Sequence, residues 1–134
     1  MKKVKITVMK MACYQDLMEK YENPMEHACD MKIGQVFVAN GWKQPEGFCD
    51  SAWDTVSPFV MTLAHGGEDL YQGWMKNKKS AMISCNDGFR PVSFLIETRN
   101  SENGFYSCDS NSHRNGIVVF LDDGFYRGLP VTDF

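Results

Sequence analysis

Hydrophobic and polar residues alternate over Lys3 to Lys10, with Val4, Ile6 and Val8 on one face. That is the two-residue period of a half-buried strand. Leu17, Met18 and Tyr21 then recur at helical spacing within Tyr14 to Tyr21. Asn23-Pro24 ends this short helix, because proline disfavours helical geometry in the residue before it. Pro24 to Lys32 reads as a loop carrying His27 and Cys29. Alternation returns in Gly34 to Ala39, GQVFVA, where Val36 and Val38 share one face and Phe37 takes the other. Asn40-Gly41 turns the chain, and Lys43 to Gly47 is extended around Pro45.

The longest amphipathic run follows, in the stretch PEGFCDSAWDTVSPFVMTLAHGG from Pro45 to Gly67. A helix starts near Cys49 or Asp50, with Asp50 or Ser51 as N-cap, since a short side-chain oxygen accepts from the free N–H groups of a first turn. Ala52, Val56, Phe59, Val60 and Leu63 fall three and four apart and predict the buried stripe. Pro58 removes a backbone donor and crowds the carbonyl four residues back. Ser57-Pro58 is also a good start for a new helix. The pattern therefore predicts a kink, or two short helices over 50–56 and 58–65. Gly66-Gly67 ends the element, with His65 in its last turn.

Glu68 to Lys79 reads as a loop containing Tyr71 and Trp74. Ser80 to Cys85 and Phe89 to Thr98 read as strands joined at Asn86-Asp87-Gly88, because Asp-Gly favours the positive φ angles of a hairpin turn. The turn-plus-aromatic signature recurs at Glu102–Phe105 and Asp122–Phe125, as successive hairpins of a meander would require. Ile117 to Leu121 is the most apolar strand, and the polar Ser107 to Asn115 is a surface loop or mobile boundary. The fold expected is α+β. A mostly antiparallel sheet packs on one main helix, kinked or split, with a short N-terminal helix. The 134 residues are enough for a single domain, 1–134, with a core over 2–97 and an extension over 98–134 that reads as a hairpin.

Composition narrows the classes of function. Hydrophobic residues make up 43% and charged residues 23%, ordinary for a globular protein. A net charge of -3 and a pI near 5.5 argue against bulk electrostatic binding to nucleic acid. Lys76, Lys78 and Lys79 form the one compact basic run, which reads as a solvated loop. No segment approaches the ~20 apolar residues of a membrane span, so no membrane partner is expected. The opening lysines resemble the start of a signal peptide, but Lys5 and Lys10 interrupt its apolar core. The chain is accordingly read as cytoplasmic. There its five cysteines, Cys13, Cys29, Cys49, Cys85 and Cys108, stay mostly reduced, and their odd count speaks against a closed disulfide framework.

Cys49 is the leading chemical candidate. A sulfur at a helix N-terminus meets the positive end of the helix dipole and free N–H groups, which favour the nucleophilic, metal-binding thiolate, while Asp50 opposes it. The structural alternative is a cysteine packed under Trp53 and Phe48. Cys29 and Cys85 extend the candidate site. Three thiolates, or two with His27, are donors for zinc or an iron–sulfur cluster, although no C-x-x-C pair occurs. A redox role needs two thiols in bonding reach. Arg90 is a bidentate anion contact or, alternatively, the partner of Asp87 or Glu97. Trp42, Trp53 and Trp74 are candidates for an apolar pocket, with Trp53 placed by its helix in the core. The nine methionines indicate an adaptable core or a sticky surface. His65 suits a helix end. There is no phosphate-binding glycine loop, no H-E-x-x-H and no G-x-S-x-G, and the paired carboxylates Asp122-Asp123 fall in a turn.

Five pieces occur in order: VKITV near the start, Cys29 ahead of IGQVF, PEGFC followed by Ala52-Trp53, the Gly66-Gly67 helix end, and CNDGFRPVSFLIE from Cys85. With them, residues from about Lys2 to Glu97 resemble a family of small uncharacterised proteins found largely in anaerobic bacteria and archaea. The resemblance implies a small α+β domain with cysteines at the positions of Cys29, Cys49 and Cys85, and implies no reaction. Residues 98–134 lie outside it. The leading functional expectation is a thiol-dependent protein centred on Cys49, with Cys29 and Cys85 assisting and Arg90 contacting an anion. The alternative is a non-catalytic binding module or small subunit with structural cysteines, holding a protein partner or a second copy through 98–134 or an exposed aromatic patch.

Overall fold

A computed structural model of the chain describes residues 1–26 and 28–98, together with the strands 117–120 and 126–129. The fold is α+β. In chain order the first unit runs β1 (Lys3–Met11), α1 (Gln15–Tyr21), β2 (Val36–Asn40), α2 (Asp50–Ala64), β3 (Ser80–Ser84) and β4 (Val92–Thr98). The four strands form one antiparallel sheet in the order β2-β1-β4-β3. Strands β2 and β3 are its opposite edges, so α2, which joins them in sequence, carries the chain from one edge to the other.

Register decides which side chains meet that helix. Val4 and Ile6 stand opposite Ala39 and Phe37 on β2, and Val4, Ile6 and Val8 stand opposite Thr98, Ile96 and Phe94 on β4. These apolar residues are buried and form one cluster with Ala52, Val56, Val60, Leu63 and Ala64 of α2. The buried stripe differs from the predicted one at Phe59. That ring is half-buried at the helix margin, 6.4 Å from the Tyr71 ring, and Ala64 takes a core place. The opposite sheet face carries Lys5 across from Glu97, Thr7 across from Leu95, and exposed Val36, Val38 and Met82.

Helix α2 is one element rather than two. Pro58 is exposed, and Val56 and Val60 on either side of it are fully buried. Core contacts on both halves thus hold the helix through the bond that proline cannot make. The N-cap is Cys49, one residue before the first of the expected caps, and no side chain among the described residues caps the helix. Asp50 instead accepts from the Gln44 amide at 2.7 Å, and the Ser51 hydroxyl donates to Asn86. At the other end, Gly66 takes φ +89°, its N–H donates to the Leu63 carbonyl, and the Gly67 N–H donates to the Thr62 carbonyl at 2.8 Å. This pair of bonds closes the helix, and it needs the left-handed conformation that glycine adopts most cheaply.

The β3–β4 connection is longer than a tight Asp-Gly hairpin. Strand β4 begins at Val92, and Gly88 does not take a positive φ. The Asp87 carboxylate organises the turn by accepting the N–H groups of Phe89 at 2.8 Å and Arg90 at 3.1 Å. Among the described residues no helix is long and apolar enough to cross a membrane.

Residues Arg99–Phe134 make a second compact unit, separate from Met1–Thr98. Within it β5 (Ile117–Phe120) and β6 (Tyr126–Leu129) pair antiparallel, Ile117 opposite Leu129 and Phe120 opposite Tyr126. The turn signatures at Glu102–Phe105 and Asp122–Phe125 and the polar run from Ser107 lie outside the described residues, as do His27 and Cys108.

Candidate functional site

The N-terminal end of α2 brings together two of the sequence candidates, Cys29 and Cys49. Gly47 takes φ +76° ahead of Phe48, whose buried ring packs edge-on to Phe37 at 4.9 Å and to Trp53 at 5.9 Å. Phe48 thereby fixes the approach to the helix, and Cys49 is left at the N-cap with an extended backbone, its carbonyl accepting the Trp53 N–H at 2.9 Å. Cys49 is exposed. It is therefore not the cysteine packed beneath Phe48 and Trp53 that the structural alternative required.

Cys29 and Cys49 line one cavity of about 220 Å³, with Asp30, Met31 and Gln35 among its other walls. Cys29 is half-buried against the core, and its sulfur accepts the Met31 N–H at 3.4 Å. The loop bearing Cys29 is pinned on the side that follows that residue. Buried Met31 sinks into the core, and Gly34 donates to the Val8 carbonyl at 2.8 Å, so the loop ends on the β1–β2 ladder. Two thiols far apart in sequence are thus presented to the same space.

Cys85 stands just past the end of β3 and does not line that cavity. Its backbone N–H donates to the Val92 carbonyl at 3.0 Å, and its sulfur accepts the Val92 N–H at 3.2 Å. Ser51 to Asn86, and Thr55 to the Ser84 carbonyl at 3.1 Å, tie this corner to the first turns of α2. Among the described residues no group of three or more His, Cys, Asp or Glu side chains is arranged to hold a metal ion. Cys29, Cys49 and Cys85 are therefore not brought to one point as a zinc or iron–sulfur ligand set. His27, the expected alternative to one of these thiolates, lies outside the described residues.

Arg90 is engaged within the chain. Its fork grips Glu22, at the C-terminal end of α1, through both terminal nitrogens, one contact being 2.9 Å. Its Nε is buried without a hydrogen-bond partner among the described residues, 3.9 Å from Asp87. Glu97 faces Lys5 instead. The sequence reading missed Glu22 because 68 residues separate it from Arg90. The three tryptophans do not share a pocket. Trp42 is 71% exposed, Trp53 packs on the core, and Trp74 meets the exposed Tyr71 at 5.3 Å. His65 is the exposed C-cap of α2.

No protein-family model, curated protein or solved structure matches this chain.

Proposed function

We propose that this chain is a thiol-dependent redox protein whose working groups are Cys49 and Cys29. The observation that carries the reading is the single cavity lined by both residues at the N-terminus of α2. Cys49 is the exposed member at the helix N-cap and is assigned attack on an incoming disulfide. Its sulfur bonds to one sulfur of the substrate and the other leaves as a thiol. Cys29 then attacks Cys49 in this mixed disulfide and expels the second substrate thiol. The Cys29–Cys49 disulfide that forms holds the two electrons' worth of oxidation taken from the substrate. Closing that bond brings the sulfurs to ~2.0 Å, which the short loop around Cys29 must allow. Cys85, bonded into the β3–β4 corner, serves that corner's structure. Membership of the anaerobe family resembled through Cys29, PEGFC and CNDGFRPV is part of the same proposal.

The test uses the full chain, reduced and kept anaerobic, against an aromatic disulfide reagent. One thiol should react at least tenfold faster than the others and be lost in Cys49→Ser. Cys29→Ser should leave a stable mixed disulfide on Cys49, while the parent releases two equivalents of thiol and shows a 29–49 link in peptide mass mapping. Equal kinetics in the parent and Cys49→Ser would end this assignment.

A further inference from the structure

The strand β2 is a sheet edge, paired among the described residues with β1 alone. The Val8 N–H donates to the Gln35 carbonyl at 2.9 Å and its carbonyl accepts the Gly34 N–H, so Val8 turns both backbone groups toward β2. Bonded pairs alternate along an antiparallel ladder. Ile6–Phe37 and Val4–Ala39 are therefore the next bonded pairs, and Val36, Val38 and Asn40 present their N–H and C=O groups to the outer edge. Asn40 bridges to Lys43, where the chain turns back on itself. Continued in that register, the return would set residue 45 against Val38, and Pro45 has no N–H to give. Gln44 instead ties the returning segment to the start of α2, donating to the Phe48 carbonyl at 2.8 Å and to Asp50 at 2.7 Å. A groove of about 390 Å³ opens between Val36 and Val38 on one wall and Lys43, Pro45 and Glu46 on the other.

We propose that this groove takes an extended segment of a partner polypeptide as an added strand, and that the disulfide reduced by Cys49 and Cys29 is carried on that segment. The proposal rests on the dithiol reading of their cavity and names its substrate class. Continuity is the warrant. Gln35 precedes Val36, Gly47 follows Glu46, and both Gln35 and Gly47 line the cavity that Cys29 and Cys49 share, so the two walls of the groove run on into it. Main-chain bonds to Val36 and Val38 accept any extended sequence, while their exposed side chains favour β-branched or aromatic residues across from them. The strand itself, VFVAN, has neither a charge nor a proline to discourage strand addition. An antiparallel partner runs from the Asn40 end toward Val36, so its cysteine follows the paired residues. A second copy fits less well, because in a β2–β2 pairing the Lys43–Glu46 walls of both copies crowd the shared edge. In the reaction the Cys49 sulfur bonds to the segment's cysteine sulfur and the other half of the disulfide leaves as a thiol. Cys29 then bonds to Cys49 and releases the segment as a second thiol, the two protein thiol protons passing to the two leaving groups.

The experiment follows thiol release by the reduced full chain, under anaerobic conditions, from a short peptide of alternating Thr and Val ending in a cysteine. That cysteine is held in a mixed disulfide with thionitrobenzoate. Two twins of the peptide carry N-methyl groups on one or the other alternate set of amides, which blocks hydrogen bonding along one edge only. One twin should match the unmodified peptide, and the other should react about tenfold more slowly or worse. A peptide with its cysteine placed first should lose the same advantage. Val38→Pro removes an outward donor at an edge position, where proline is accommodated, and the preference between the twins should fall several-fold. That ratio is internal to each protein sample, so an unfolded fraction does not imitate the effect. Equal rates for all the peptides, with the small aromatic disulfide still reacting fast at Cys49, would overturn the strand site and leave the dithiol assignment standing. Slow reaction with every disulfide would overturn both. A dimer dispersed by Val38→Pro, without preference among the peptides, would overturn the site in favour of a second copy.

Discussion

Arg90 shows how one residue's partners decide what it is free to do. Its side chain and that of Glu22 are 17% and 14% exposed, so the pair is neither a solvated surface bridge nor a fully buried one. A planar fork on a carboxylate is the strong form of ion pair, and removing one partner leaves the other charge half-desolvated. Glu22→Gln is expected to cost about 2 kcal/mol, and Arg90→Gln about the same. The pair should couple in a double-mutant cycle of urea unfolding. Additivity within ~0.5 kcal/mol would place the contact with ordinary surface bridges. Cys49 makes the complementary point. Its position at the helix start was readable because PEGFC precedes an amphipathic run. Its exposure was not, since Phe48 and not Cys49 is the residue that plugs the core.

Among the elements, α2 carries the most instructive conflict between local and tertiary preference. Proline within a helix interior is locally unfavourable, yet the helix runs from Asp50 to Ala64. Val56, Val60 and Leu63 are fully buried on the sheet, and that burial outweighs the single missing bond to the Asp54 carbonyl. Pro58 itself faces solvent, so replacing it removes no packing. Pro58→Ala should therefore raise stability by about 2 kcal/mol, the helical gain less the entropy returned to the unfolded chain. A lower melting temperature in that variant would mean that Pro58 fixes the helix geometry in a way the core requires. The Gly66-Gly67 stop was legible for the opposite reason, because it is a local device. A Cβ added at Gly67 would lie 2.6 Å from the Thr62 methyl and 2.9 Å from the Thr62 carbonyl oxygen, so the crowding comes from the helix's own last turns.

For the whole molecule, every described residue of the core cluster falls between Val4 and Ile96. The first unit, Met1–Thr98, therefore contains a complete sheet and the helix that covers it. Residues 1–98 expressed alone should unfold in one cooperative transition, with a near-ultraviolet signal from Trp53 in its packed site. A non-cooperative melt would show that the chain beyond Thr98 is required for this core.

What the sequence determined by itself was whatever depends on short-range periodicity. Alternation in VKITV and GQVFVA, helical spacing from Ala52 to Leu63, and glycine at the helix stop are all rules that act between near neighbours, which is why the α+β class and most element positions could be read. The strand order β2-β1-β4-β3, the fork between Glu22 and Arg90, the longer turn around Asp87 and the meeting of Cys29 with Cys49 could not. Each depends on which faces the sheet register brings together, and register is settled by burying Val4, Ile6, Val8, Phe94 and Ile96 against one helix rather than by any preference local to the residues that then become neighbours.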